Sequence, residues 1–186
     1  MSDFVNGVAA NSSAEQPPFF VVSPGKVAVM GFFTFGIYWL YCFYQNWKLH
    51  QARTGEQVSP FWRCFFAIFF IYPLLRRVND CIRVSGRSSD WSILGLTLVH
   101  YALAVAGVVV NAMLEGRPAA VLLASLVLQA AWVMLFIAMQ NGINLSAGDM
   151  TGQSNSRLTL ANWLWMLPGI GLQLMMVFAL VAIAVA

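Results

Sequence analysis

Apolar positions run along this chain in five long blocks separated by short polar intervals. Their spacing predicts helices at about 27–47, 60–75, 92–114, 118–139 and 160–185. The first block has 21 residues, enough for the roughly 20 that cross a hydrocarbon layer, and Lys26 and Lys48 bracket it. The second is shorter. Counted from Val58, its 18 residues give roughly 27 Å of helix, so it either barely crosses or lies at the interface. Within it Phe61, Phe65 and Phe69 recur every four residues, and Trp62, Phe66 and Phe70 repeat beside them. At helical period these six rings form a double ladder on one face, and Pro73 is placed to kink its end. Glu115-Gly116-Arg117-Pro118 reads as a tight turn joining the third and fourth helices into a hairpin. Residues 140–158, rich in Gly, Asn and Ser, read as a polar linker outside the membrane. Pro168-Gly169 with Gly171 predicts a kink or a close helix contact in the last helix.

The pattern gives an all-α integral membrane protein, a compact bundle of five apolar helices of which four or five span. Residues 1–25 form a polar N-terminal tail and lead-in, and 26–186 a single transmembrane helical domain. The tail lacks the basic and apolar regions of a cleavable signal peptide. Composition agrees: of 186 residues 60 % are apolar and 9 % charged, against about 25 % charged in a soluble domain. A soluble fold of this size has too small an interior to hide so much apolar surface. Residues 32–47 hold nine aromatics in sixteen positions. Tyr38, Trp39, Tyr41, Tyr44 and Trp47 crowd the C-terminal half, and such rings favour the headgroup boundary. They read as an interface anchor, with Asn46 and Trp47 ending the first helix at the headgroups.

The formal charge is only +3, so its placement matters more than its sum. If all five segments span with the N-terminus inside, the cytoplasmic side carries six Lys and Arg (Lys26, Arg76, Arg77, Arg83, Arg87, Arg157) against four outside. If the second segment stays on one side and the N-terminus is outside, the count becomes eight against two, Lys26 and Arg117. Both arrangements put the arginine-rich stretch 76–91 in the cytoplasm and the C-terminus opposite. Arg63, Arg76, Arg77, Arg83 and Arg87 are candidate contacts for anionic headgroups, each such residue contributing about 1 kcal/mol near the surface. Arg63 begins an aromatic helix and has no evident acidic partner in the sequence. The partners expected are the bilayer, with its anionic lipids, and a membrane-protein partner or further copies of the chain. No basic stripe interleaves with a reading surface, which argues against nucleic acid.

Three polar side chains fall deep in apolar helices: His100, Gln129 and Gln173. Groups at that depth face other helices, because lipid cannot hydrogen-bond them. They form either an interhelical hydrogen-bond cluster or a polar path with His100 as its titrating member. Cys42, Cys64 and Cys81 show no CxxC and no His partners, so neither a metal site nor a disulfide framework is expected. The chain has no HExxH, no GxSxG, no phosphate-binding glycine loop and no pair of intramembrane carboxylates. No catalytic residue, cofactor or metal is therefore expected. The function expected is a non-enzymatic accessory or scaffold subunit, with a small transporter or oligomeric pore through His100, Gln129 and Gln173 as the alternative.

Two motifs carry a resemblance. Thr34-Phe35-Gly36-Ile37-Tyr38 with Asn46 and Trp47, followed by Ser59-Pro60-Phe61-Trp62-Arg63, resembles a family of small bacterial inner-membrane proteins of unknown function. A looser third match is the segment with Asn141 and Asn144 followed by RLTLANWLW. The resemblance implies a bacterial inner membrane and brings no activity or catalytic residue with it.

Overall fold

The computed structural model describes residues 16–185, so residues 1–15 of the expected tail lie outside the described residues. The described chain is helical and has no strand: α1 Pro24–Phe33, α2 Ile37–Thr54, α3 Pro60–Phe65, α4 Ala67–Val84, α5 Ile93–Met113, α6 Pro118–Ala147 and α7 Leu160–Val185. Three helices, α5, α6 and α7, are long and apolar enough to cross a membrane. Helices α1 to α4 do not meet that measure of length and apolarity.

The first apolar block is not one helix. It breaks at Thr34–Gly36 and doubles back. The break is a Schellman turn, in which Gly36 N donates to Gly31 O (2.9 Å) and Phe35 N to Phe32 O (3.4 Å). Phe35, at φ +50°, occupies the left-handed position usually given to glycine, and Gly36 follows at φ +82°. Thr34 works in both directions: its hydroxyl donates to Met30 O (2.6 Å) and accepts from Tyr38 N (3.0 Å). It thereby closes α1 and opens α2. The Thr-Phe-Gly-Ile-Tyr stretch is a hairpin tip.

Depth follows from the partners. The start of α1 is tied to the loop after α6, Lys26 Nζ donating to Asn155 Oδ1 (2.8 Å) and to Arg157 O (2.9 Å). Its end lies against the middle of α6 and α7, at Gln129 and Gly169. The ten residues of α1 measure about 15 Å, half of a roughly 30 Å hydrocarbon layer. Then α2 returns, stacking Trp39 on Phe136 (4.8 Å) and setting Tyr38 edge-on to Trp165. Asn46 comes back level with Phe20, whose amide it accepts (2.8 Å). The pair is a helical hairpin whose tip lies part-way along α6 and α7. Irregular backbone is tolerated at such depth only when protein surrounds it, and Thr34 at the tip is buried.

The second block also breaks, at Phe66, into the short α3 and the longer α4. Pro73 lies inside α4 and ends nothing. Of the six rings, Phe61, Trp62, Phe65, Phe66 and Phe69 face outward, while Phe70 packs partly against the core.

Two further expectations change. Trp47, Tyr38 and Trp39 are core residues rather than interface anchors, and α2 continues past Asn46 and Trp47 to Thr54. The expected linker from 140 is helix as far as Ala147, so α6 has 30 residues. At about 45 Å it outruns the hydrocarbon layer. Its last two turns turn Gln140, Asn144 and Ser146 inward, where Gln140 and Asn144 hold the extended lead-in and Ser146 donates to Ile143 O of its own helix. Asn144 pairs with Val22 as a strand would, accepting its N–H (3.2 Å) and donating to its carbonyl (2.8 Å). Gln140 Nε2 donates to Phe20 O (2.9 Å), and Asn155 Nδ2 to Val21 O (2.9 Å). Carboxamides replace the backbone partners that this extended segment lacks.

This connectivity sorts the charges. Lys26, Lys48, Arg53, Arg63, Arg76, Arg77, Arg83, Arg87 and Arg157 all belong to the end of the bundle where α6 finishes and α7 begins. Arg117 alone is at the α5–α6 turn. Nine of the ten basic residues therefore share one side.

Candidate functional site

Beside the hairpin lies an apolar cavity of about 860 Å³. The tip of α1–α2 forms one wall, the bend between α3 and α4 another, and α5 with α6 the back. Rings dominate it: Trp39, Phe61, Phe65, Trp132 and Phe136. Gly36 suits the tip through its φ of +82°, since a Cβ there would come only into ordinary contact with the Phe136 ring, at 3.5 Å. The rim residues Phe35, Ile37, Leu40, Phe65 and Ile68 are exposed, so the cavity opens on the lateral surface of the bundle.

The cavity wall carries three polar side chains other than Tyr44 and Cys64: His100, Ser125 and Gln129. Ser125 is spent on its own helix, donating to Val121 O (2.8 Å). Gln129 is spent on the hairpin. Its Nε2 donates to Phe32 O (2.6 Å), the carbonyl at the end of α1 that Phe35 N also meets at 3.4 Å, and its Oε1 accepts from Gln173 Nε2 (2.9 Å). Gln129 and Gln173 are thus brought together, and His100 stands apart from both. His100 sits edge-on to Trp132 (5.0 Å) and beside Tyr101 (5.8 Å). Its Nδ1 is enclosed without a hydrogen-bond partner.

A second cluster occupies the basic end. Glu56, in the loop after α2, accepts from Arg77 Nη2 (2.9 Å) and pairs with His50 Nε2 (2.8 Å), and Arg63 Nη2 lies 3.6 Å away. Both guanidiniums cover the buried Trp47 ring, Arg63 at 4.0 Å and Arg77 at 5.2 Å from its centre. The hydrogen bond from His50, then Arg77, holds the Glu56 carboxyl below its ordinary value. Arg63 thus has an acidic partner: Glu56, in the loop that precedes its helix.

The five expected headgroup contacts divide accordingly. Arg63 and Arg77 are engaged with Glu56 and Trp47. Arg87 caps the C-terminus of α6, donating to Leu145 O (3.1 Å) and Ser146 O (2.9 Å). Arg76 and Arg83 are exposed. Among the described residues no three His, Cys, Asp or Glu side chains converge as a metal site would require.

No family model, curated protein or solved structure matches this chain. Its geometry is therefore the ground on which function is argued. Sequence reasoning missed Glu56 and the chain reversal at Thr34, whose bond to its own preceding turn is the one expected of a helical threonine, and it placed Gln140 and Asn144 in a loop. Gln140 and Asn144 left a readable signal, since at i, i+4 they continue the helical period of α6. Thr34 left none, because a hydroxyl in an apolar run is usual in a spanning helix.

Proposed function

We propose that the chain is a non-enzymatic integral protein of a bacterial inner membrane, serving as an accessory or scaffold subunit. The observation that carries this is the Gln173–Gln129–Phe32 chain of hydrogen bonds. Two of the three polar side chains that could line a path, Gln129 and Gln173, are spent on holding the half-depth hairpin in place. The rings of α3 and α4 then form an outward apolar surface, Phe61, Trp62, Phe65 and Phe69, suited to lipid or to another membrane helix.

Orientation is part of the proposal. The end with nine of the ten basic residues is cytoplasmic by the positive-inside rule, and a three-span arrangement gives a stronger bias than either expected topology. Arg76 and Arg83 meet the anionic headgroups of that leaflet.

Mild extraction from the native membrane, followed by mass measurement of the intact assembly, tests the reading. A second polypeptide in fixed ratio supports the subunit role and names its pathway. A homo-oligomer alone that carries solute flux in liposomes overturns it in favour of the pore through His100, Gln129 and Gln173.

A further inference from the structure

Of the polar groups on the cavity wall, the His100 imidazole is the one with an enclosed, unpartnered atom: among the described residues neither ring nitrogen makes a hydrogen bond, whereas Ser125 and Gln129 are both occupied. Its Nδ1 is sealed within the protein, which leaves Nε2 as the nitrogen on the cavity side. A buried N–H without an acceptor is rarer in proteins than a buried acceptor without a donor. The favoured tautomer therefore keeps the lone pair on the enclosed Nδ1 and the proton on Nε2, presenting one N–H donor to an otherwise apolar space. That donor calls for an acceptor oxygen.

The cavity volume of about 860 Å³ is within the span of sites for drug-sized ligands, about 300–1,000 Å³. An acyl chain of a phospholipid would fill the space but offer no acceptor there, since its ester oxygens stay near the headgroups. A carbonyl carried on a flat apolar ring answers both the donor and the walls. Trp39, Trp132 and Phe136 offer ring faces and edges, which favour stacked or edge-on aromatic partners. The rim opens on the lateral surface of the bundle, where an isoprenoid or alkyl tail can remain.

We infer that the cavity binds a lipid-soluble quinone-type molecule, with one ring carbonyl accepting from His100 Nε2–H. Entry is lateral, from the bilayer, past Leu40, Phe65 and Ile68. This site is independent of the subunit reading, which concerns the outer surface.

The test uses the full-length protein in nanodiscs, titrated with a decyl-substituted benzoquinone and, separately, with decylbenzene. Quenching of tryptophan fluorescence and bound stoichiometry by native mass spectrometry are the readouts. Saturable one-to-one binding of the quinone, at least tenfold tighter than decylbenzene, is expected. His100→Phe should weaken quinone binding about tenfold and leave decylbenzene unchanged. Ile68→Trp, which extends an exposed rim residue into the opening, should weaken both, and carries the test of the cavity should His100→Phe fail to fold. Equal affinity for the two probes, or an unaltered His100→Phe, overturns the carbonyl contact. Absence of saturable binding, or recovery of tightly held phospholipid that the quinone does not displace, overturns the site.

Discussion

Two glycines in α7, only two residues apart, should respond oppositely to the same added methyl. A Cβ at Gly171 meets nothing within 4 Å. There, replacing glycine by alanine removes only the entropic penalty of glycine in a helix, so Gly171→Ala should stabilise by about 0.5–1 kcal/mol. A Cβ at Gly169 would overlap the carbonyl oxygen of Phe33, a backbone atom of the hairpin tip. No rotamer change relieves that overlap, and α1 has to move off α7. Overpacking of this kind costs about 1–3 kcal/mol. The movement also stretches the adjacent Gln129–Phe32 bond, a contribution of about 1 kcal/mol. Set against the same helix gain, Gly169→Ala should lose about 2 kcal/mol net, roughly 3 kcal/mol from its neighbour. Reversible unfolding in mixed micelles, followed by tryptophan fluorescence against SDS fraction, measures both. Matching stabilities for the two variants would show that α1 is not seated on α7, and the hairpin would fall with it.

Gln129→Leu strands the Phe32 carbonyl and the Gln173 amide, and should destabilise by about 1–3 kcal/mol; adding Gln173→Leu should recover part of the loss in the same assay. Glu56 has a carboxyl lowered in the folded state, so its stabilising contribution is present above the ordinary glutamate value and is lost as pH falls through the lower folded one. A pH series on wild type and Glu56→Gln should show the wild type losing more stability than the variant below about pH 4.3, and parallel curves would remove the cluster from the stability account. For orientation, alkaline phosphatase fused after Ala186 should be active and a fluorescent protein fused there dark; the reverse pattern would invert the assigned sides.

How much of this was legible in the sequence depended on what each element asked of its residues. Spanning helices ask for length and apolarity, which α5 and α7 display openly. The depth of Gln129 and Gln173 likewise pointed to helix contacts, and they meet. The hairpin asks for something that hydropathy does not register. Phe35 adopts a left-handed conformation that its side chain disfavours, and only the tertiary setting holds it there. A window over 27–47 sums to a spanning helix because every residue at the turn except Thr34 and Gly36 is apolar. Polarity misled in the opposite sense at 140–147, where Gln140 and Asn144 look like loop residues until the partner, Phe20–Val22, comes in from over a hundred residues away. The cavity was invisible for the same reason, since its walls come from four separate segments.

The latching of the hairpin onto α6 and α7 also sets an order of events during synthesis. Chains emerge N-terminus first, so α1 and α2 leave the ribosome before any of the groups that cap them exist. Gln129, Asn144, Asn155 and Gly169 all follow later. A lone half-depth turn would lack the Gln129 amide that meets the Phe32 carbonyl and the α7 surface against which Phe33 is packed. The first segment therefore waits at the bilayer surface, or in the care of the insertion machinery, and dips inward only when the last helix has arrived. Assembly of this protein runs backward along its own sequence, and a ribosome stalled before α7 would leave the hairpin outside.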